Sequence, residues 1–222
     1  MTPGISTPEQ ATLARFLHLL VAVLALGGFT IQLVLAIAGG PGMAPTPADR
    51  IVRLLSFFTI ESNLLIGGVS LALASNPRRD GPVFRVLRLD ALLCIAVTGI
   101  VYNIVLRGME MTGALLVSDT MLHVLAPLFA VVVWLWLGPR PRVTAQTVWW
   151  SVVYPIAWLV YTFVRGAATG WYPYPFLDVN VLGYAGAVTN AAIVAVVFLV
   201  LAWGVRWADG RLPDTDRSVP RP

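Results

Sequence analysis

Residues 52–74 read VRLLSFFTIESNLLIGGVSLALA, and this stretch decides the fold. A helix needs about 20 apolar residues to cross a hydrocarbon layer about 30 Å thick, and this run has that length. Arg53 lies near its start and Glu61 is its one acid, so it reads as a membrane-crossing helix. Within it, Ser56, Thr59, Glu61, Ser62 and Asn63 form a polar island where polar groups are costly and therefore call for a reason.

Working outward, similar runs occupy 16–38, 84–106, 117–137, 147–168 and 181–204. The breaks between spans are chemically marked: Gly39-Gly40-Pro41-Gly42, Asn76-Pro77, Gly138-Pro139-Arg140-Pro141, and Gly170 with Pro173 and Pro175. Charged residues make up 12% of the chain, about half the fraction usual in soluble domains. The chain is expected to be an all-α polytopic membrane protein, a six-helix bundle over 1–208 followed by a polar, disordered tail at 209–222. Thr7-Pro8-Glu9-Gln10 resembles a capping box, so the first helix is expected to start about two turns before the membrane. Its apolar run is too long for a cleaved signal and is expected to be retained. Cys94 is the single cysteine, which excludes a disulfide framework and a thiolate metal cluster. No cofactor and no metal is expected.

The chain has fifteen arginines and no lysine. Eleven of them, including Arg15, Arg78, Arg79, Arg85, Arg88, Arg140 and Arg142, fall on the side of the two termini, and only Arg50, Arg53, Arg107 and Arg165 fall on the other. The positive-inside rule then predicts cytoplasmic termini. This pattern reads as a topology and lipid-headgroup signal, not nucleic-acid binding. The absence of lysine suggests a GC-rich coding bias and hence a bacterial plasma membrane.

With that topology, Thr59 and His123 each fall roughly 10 Å below the outer helix ends at 1.5 Å per residue. Helical spacing puts Ser56, Thr59, Asn63 and Ser70 on one arc of the second span. It aligns Asp119, His123, Pro127, Ala130 and Trp134 on the fourth span, and Tyr154, Trp158, Tyr161, Thr162 and Arg165 on the fifth. Three polar arcs at one depth predict a polar pocket opening outward.

Each residue also has a plainer reading. Thr59 can bond its own helix backbone, and His123 can serve as an interhelical hydrogen-bonding group. Glu61 points away from Thr59 and is expected to be scaffold, paired with an arginine of another helix. Arg107 and Arg165 either snorkel to headgroups or bind a substrate carboxylate, with Tyr161 beside Arg165. Asp119 either favours a helix N-terminus or orients His123 one turn away. His18 reads as an interfacial side chain. A hydroxyl beside a histidine is the logic of nucleophilic catalysis, with Asn63 or Arg165 as candidate oxyanion donors. No Gly-x-Ser-x-Gly or His-Glu-x-x-His motif occurs.

Phe58-Thr59-Ile60-Glu61-Ser62-Asn63-Leu64-Leu65 and Leu122-His123-Val124-Leu125-Ala126-Pro127 resemble the six-span androgen-induced / androgen-dependent TFPI-regulating protein family. Residues 170–178, GWYPYPFLD, are similar to the segment after the fifth span of its bacterial relatives. The resemblance implies an integral-membrane hydrolase of fatty acid esters of hydroxy fatty acids, with Thr59 as nucleophile and His123 as base. It implies a lipid ester as partner within the membrane lipids. It says nothing of Asp119 or the arginines. The alternative is a non-enzymatic membrane protein that binds or transports a lipid or small molecule in the same arcs. Bis-histidine haem ligation by His18 and His123 is disfavoured by their predicted placement near opposite faces of the layer.

Overall fold

A computed structural model describes residues 8–40, 42–106, 108 and 111–212. The first span is α1 (Pro8–Ala38). A short α2 (Pro47–Leu55) precedes the second span, α3 (Phe58–Ser75). The third span is α4 (Pro82–Val101), prolonged by a wide turn at Tyr102–Leu106. The fourth joins α5 (Gly113–Thr120) to α6 (Ala126–Leu137) through a second wide turn at Met121–Leu125. The fifth is α7 (Ala145–Ser151) continued by α8 (Val153–Thr169), and the sixth is α9 (Val179–Arg211). Six helical segments are thus long and apolar enough to cross a membrane, and no strand occurs among the described residues. The chain is a membrane protein by this measure, with Val23, Ile104, Val160 and Val200 among many large apolar side chains left exposed for lipid. Successive crossings bring both ends of the described chain to the same end of the bundle.

The ends are chemically specified. Thr46 Oγ1 accepts the Asp49 N–H at 3.1 Å ahead of Pro47, and Thr144 Oγ1 accepts the Thr147 N–H at 3.1 Å. Asp178 starts α9 by accepting the Asn180 N–H at 2.9 Å. Arg50 closes the end of α1, donating to the Ala36 carbonyl at 2.6 Å and the Ile37 carbonyl at 3.0 Å. At the opposite end, Asp209 accepts the main-chain N–H groups of Arg142 (2.6 Å) and Val143 (2.8 Å). The last helix therefore continues past 208, where a disordered tail was expected to begin, because that carboxylate is buried against the fourth-to-fifth-span loop. Residues 213–222, Arg107, and Thr7 of the expected capping box lie outside the described residues.

In lipid, helices associate through close packing more than through an aqueous hydrophobic effect. α1 packs along α3, α3 against α4, and α4 against α6 and α7. A Cβ at Gly67 would lie 2.6 Å from Leu26 Cδ2, so the α1–α3 contact depends on that missing methyl.

The second span departs from the expected continuous helix. It breaks at Ser56 and Phe57, where Phe57 is extended (φ −75°, ψ 127°). Two interactions with α8 hold the break: Trp158 Nε1 donates to the Ser56 carbonyl at 3.2 Å, and Tyr161 and Ser56 hydroxyls lie 2.9 Å apart. The Ser56 hydroxyl also reaches the Val52 carbonyl at 2.7 Å, closing the last turn of α2. The arc drawn from Ser56 to Ser70 is thus cut after its first member.

Candidate active site

Thr59 is the second residue of α3, just past the break. Elsewhere Thr12, Thr30, Thr169 and Thr189 donate their hydroxyls to the carbonyl four residues earlier, at 2.8–3.0 Å. Thr59 has no such bond, because the chain four residues back belongs to α2. Its Oγ1 lies instead 3.2 Å from the Tyr174 hydroxyl, which also accepts the Thr59 N–H at 3.1 Å.

Tyr174 comes from the segment between α8 and α9. Gly170 ends α8 with φ +67°, a left-handed cap that glycine adopts without strain. Gly166 lets the Tyr172 ring lie against α8: a Cβ there would stand 2.0 Å from Tyr172 Cε1. Asn180 Nδ2 donates to the Gly170 carbonyl and Asn190 Nδ2 to the Phe176 carbonyl, both at 3.0 Å. The Tyr174 ring stacks on Phe176 at 5.2 Å and meets the Phe57 edge at 5.5 Å. The segment is pinned along its length, and its tyrosine is delivered to the start of α3.

Thr59 and Tyr174 share the wall of a cavity of about 230 Å³ with Phe58, Tyr102, Trp158 and Phe198. This exceeds the roughly 150 Å³ known to hold a benzene in an apolar protein core. The lining is almost wholly apolar, which corrects the expectation of a polar pocket. Several polar side chains near the cavity are engaged elsewhere. Asn63 Nδ2 donates to the Thr59 carbonyl (2.8 Å) and the Leu122 carbonyl (3.2 Å), so both amide hydrogens are spent joining α3 to the Met121–Leu125 turn. Tyr154 donates to Glu61 Oε2 at 2.8 Å, which gives Glu61 a tyrosine and not an arginine. Tyr161 is engaged with Ser56.

His123 sits on the wide turn between α5 and α6. Its Nδ1 lies 2.9 Å from Asp119 Oδ1 and 3.2 Å from the Asp119 carbonyl. Both neighbours only accept hydrogen bonds, so Nδ1 carries the proton and Nε2 is left as the basic nitrogen. Tyr102 donates to the other Asp119 oxygen, and its ring stacks on the imidazole at 4.0 Å. Both wide turns, Tyr102–Leu106 and Met121–Leu125, contribute here, as such widened helical turns often do at functional sites.

The structure therefore joins Asp119 to His123 directly. It joins Thr59 to Tyr174, and no hydrogen bond links Thr59 to His123. The connection is Tyr102, which faces the Thr59 cavity and lies on the imidazole. Neither Tyr102 nor Tyr174 is singled out by sequence reasoning, because a tyrosine near a helix end looks the same whether it anchors at the interface or turns inward. Arg165 lies 4.9 Å from the centre of the Trp171 ring, with Arg53 at 5.2 Å from the same ring, and its buried Nη1 has no hydrogen-bond partner. His18 is not the interfacial side chain the sequence suggests: it is buried and lines a separate small void with Arg88 and Trp134. No three His, Cys, Asp or Glu side chains gather as a metal site among the described residues.

Comparison with known proteins finds no matching family model, no matching curated protein and no matching solved structure.

Proposed function

We propose that the protein is an intramembrane ester hydrolase in which Thr59 is the nucleophile and His123, oriented by Asp119, is the base. One observation carries this reading. The Thr59 hydroxyl is withheld from its own helix, as those of Thr98 and Thr162 are, but it alone of the three meets a second hydroxyl, that of Tyr174, in the wall of an apolar cavity. Tyr102 ties that cavity to the His123–Asp119 pair. The likeness of residues 58–65 and 122–127 to the androgen-induced / androgen-dependent TFPI-regulating protein family points to the same two residues. Substrates are amphiphilic acyl esters such as fatty acid esters of hydroxy fatty acids, with an apolar chain in the cavity and a carboxylate on Arg165. A water beside Tyr102 carries the Thr59 proton to His123 Nε2 as Oγ1 attacks the ester carbonyl. The alcohol leaves with that proton, and a second water hydrolyses the acyl-Thr59. The arginine asymmetry favours cytoplasmic termini and a site in the outer half of the membrane, and the absence of lysine favours a bacterial plasma membrane.

Purified protein in nanodiscs is expected to hydrolyse branched hydroxy-fatty-acid esters, and Thr59→Ala and His123→Ala are each expected to lower kcat at least a hundredfold. Wild-type rates in both variants would sink the assignment.

The Thr59–Tyr174 bond and the apolar lining favour a second reading, a lipid-binding or carrier protein without chemistry. A fluorophosphonate probe separates the two. An ester hydrolase becomes labelled on Thr59, whereas a carrier binds lipid and stays unlabelled.

A further inference from the structure

Among the described residues, Tyr174 supplies the only side chain hydrogen-bonded to Thr59 Oγ1. A phenol has one hydrogen to give. The Thr59 N–H can only donate, so it occupies a lone pair of the Tyr174 oxygen at 3.1 Å. The phenol hydrogen is then free to point at Thr59 Oγ1, 3.2 Å away. Burial pushes the Tyr174 hydroxyl up to about 12, against the opposing pull of its bonds to Thr59, so it stays protonated through the neutral range.

We infer that Tyr174 is the oxyanion donor of the ester-cleaving site, placed by the 171–178 segment to stabilise the tetrahedral intermediate on Thr59. The inference rests on the hydrolase reading. As Oγ1 bonds to the acyl carbon, the carbonyl π pair moves onto its oxygen, which becomes the anion next to Oγ1. The same step turns Oγ1 into a weakly basic ester-type oxygen. The Tyr174 hydrogen therefore leaves Oγ1 for the oxyanion, an interaction stronger in the transition state than in the resting site. No proton is transferred to or from Tyr174. The Thr59 proton goes to His123 and departs with the alcohol as the carbonyl re-forms. The same donor serves when water attacks the acyl-Thr59.

Asn63 is the rival donor on α3, and both of its amide hydrogens are already committed to main-chain carbonyls. Tyr174, by contrast, needs only to turn its hydroxyl. Its ring is held between Phe57 and Phe176, so little reorganisation accompanies the step.

The test compares wild type, Thr59→Ala and Tyr174→Phe in nanodiscs with one hydroxy-fatty-acid ester. The same proteins are titrated with a trifluoromethyl ketone, which forms a tetrahedral oxyanion on the nucleophile, and with a non-reactive ether analogue. Tyr174→Phe is expected to lower kcat by about 10²–10³-fold, with KM within about threefold. Ketone affinity falls by a similar factor and ether affinity stays unchanged. A merely structural tyrosine would lower thermal stability without separating ketone from ether. Loss of activity in Thr59→Ala with wild-type kcat in Tyr174→Phe overturns the donor role and leaves the hydrolase standing. An inert wild type, or full activity in Thr59→Ala, overturns both. If Tyr174→Phe does not fold, 3,5-difluorotyrosine at 174 keeps the ring and hydroxyl while lowering the phenol pKa. The alkaline limb of the rate profile then shifts to lower pH, and an unshifted limb overturns the role.

Discussion

The imidazole of His123 is set by one carboxylate: Asp119 Oδ1 takes the Nδ1 hydrogen at 2.9 Å while Tyr102 holds the other oxygen. Asp119→Asn keeps the shape but offers an amide hydrogen, which lets the imidazole adopt the tautomer with its proton on Nε2. A comparable substitution in a serine protease costs about 10⁴ in kcat, and a fall of at least about 10²-fold is expected here. Steady-state kinetics on the proposed ester substrate check it, and an unchanged kcat would remove Asp119 from the proposed machinery. Thr59 and His123 were legible in the sequence as candidates because polar side chains inside apolar runs stand out. Tyr102 and Tyr174 were not, since an aromatic side chain is at home both at the membrane interface and in a core. The apolar character of the cavity was hidden too. Polar arcs show which groups share a depth, but not that Asn63 is spent on main-chain carbonyls, Glu61 on Tyr154 and Tyr161 on Ser56.

Among the elements, the spans were legible as runs of apolar residues ended by glycine and proline, and six of them stand in the structure. The break before α3 was not. Ser56 and Phe57 are each tolerated inside a membrane helix, and only the bonds from Trp158 and Tyr161 of α8 reveal why the chain turns there. That break is what frees the Thr59 hydroxyl from its helix. The segment carrying Tyr174 depends in turn on Gly166, whose missing Cβ makes room for the Tyr172 ring. Gly166→Ala must push that ring away and is expected to destabilise the protein by about 1–3 kcal/mol. If the segment positions the site, kcat falls at temperatures where the variant is still fully folded. Melting curves and kinetics measured together distinguish this from simple unfolding, and an unaltered kcat would uncouple the segment from the site.

At the scale of the molecule, the proposed orientation is open to direct labelling. Cys94 is fully buried and leaves a silent background. A membrane-impermeant maleimide applied to intact cells is expected to label Met43→Cys, half exposed at the end away from the termini, and to spare Arg79→Cys. The reverse pattern would invert the topology and place Thr59 in the inner half of the bilayer. One arrangement described above also has a mechanical consequence. α8 grips the Ser56 carbonyl through Trp158 and, one short segment later, leads to the tyrosine that touches Thr59. The four members, α8, its outgoing segment, Tyr174 and the start of α3, form a closed linkage whose joints lie close together. The break that frees the Thr59 hydroxyl and the tyrosine that meets it are therefore both anchored on α8, so a change at one joint is felt at the other.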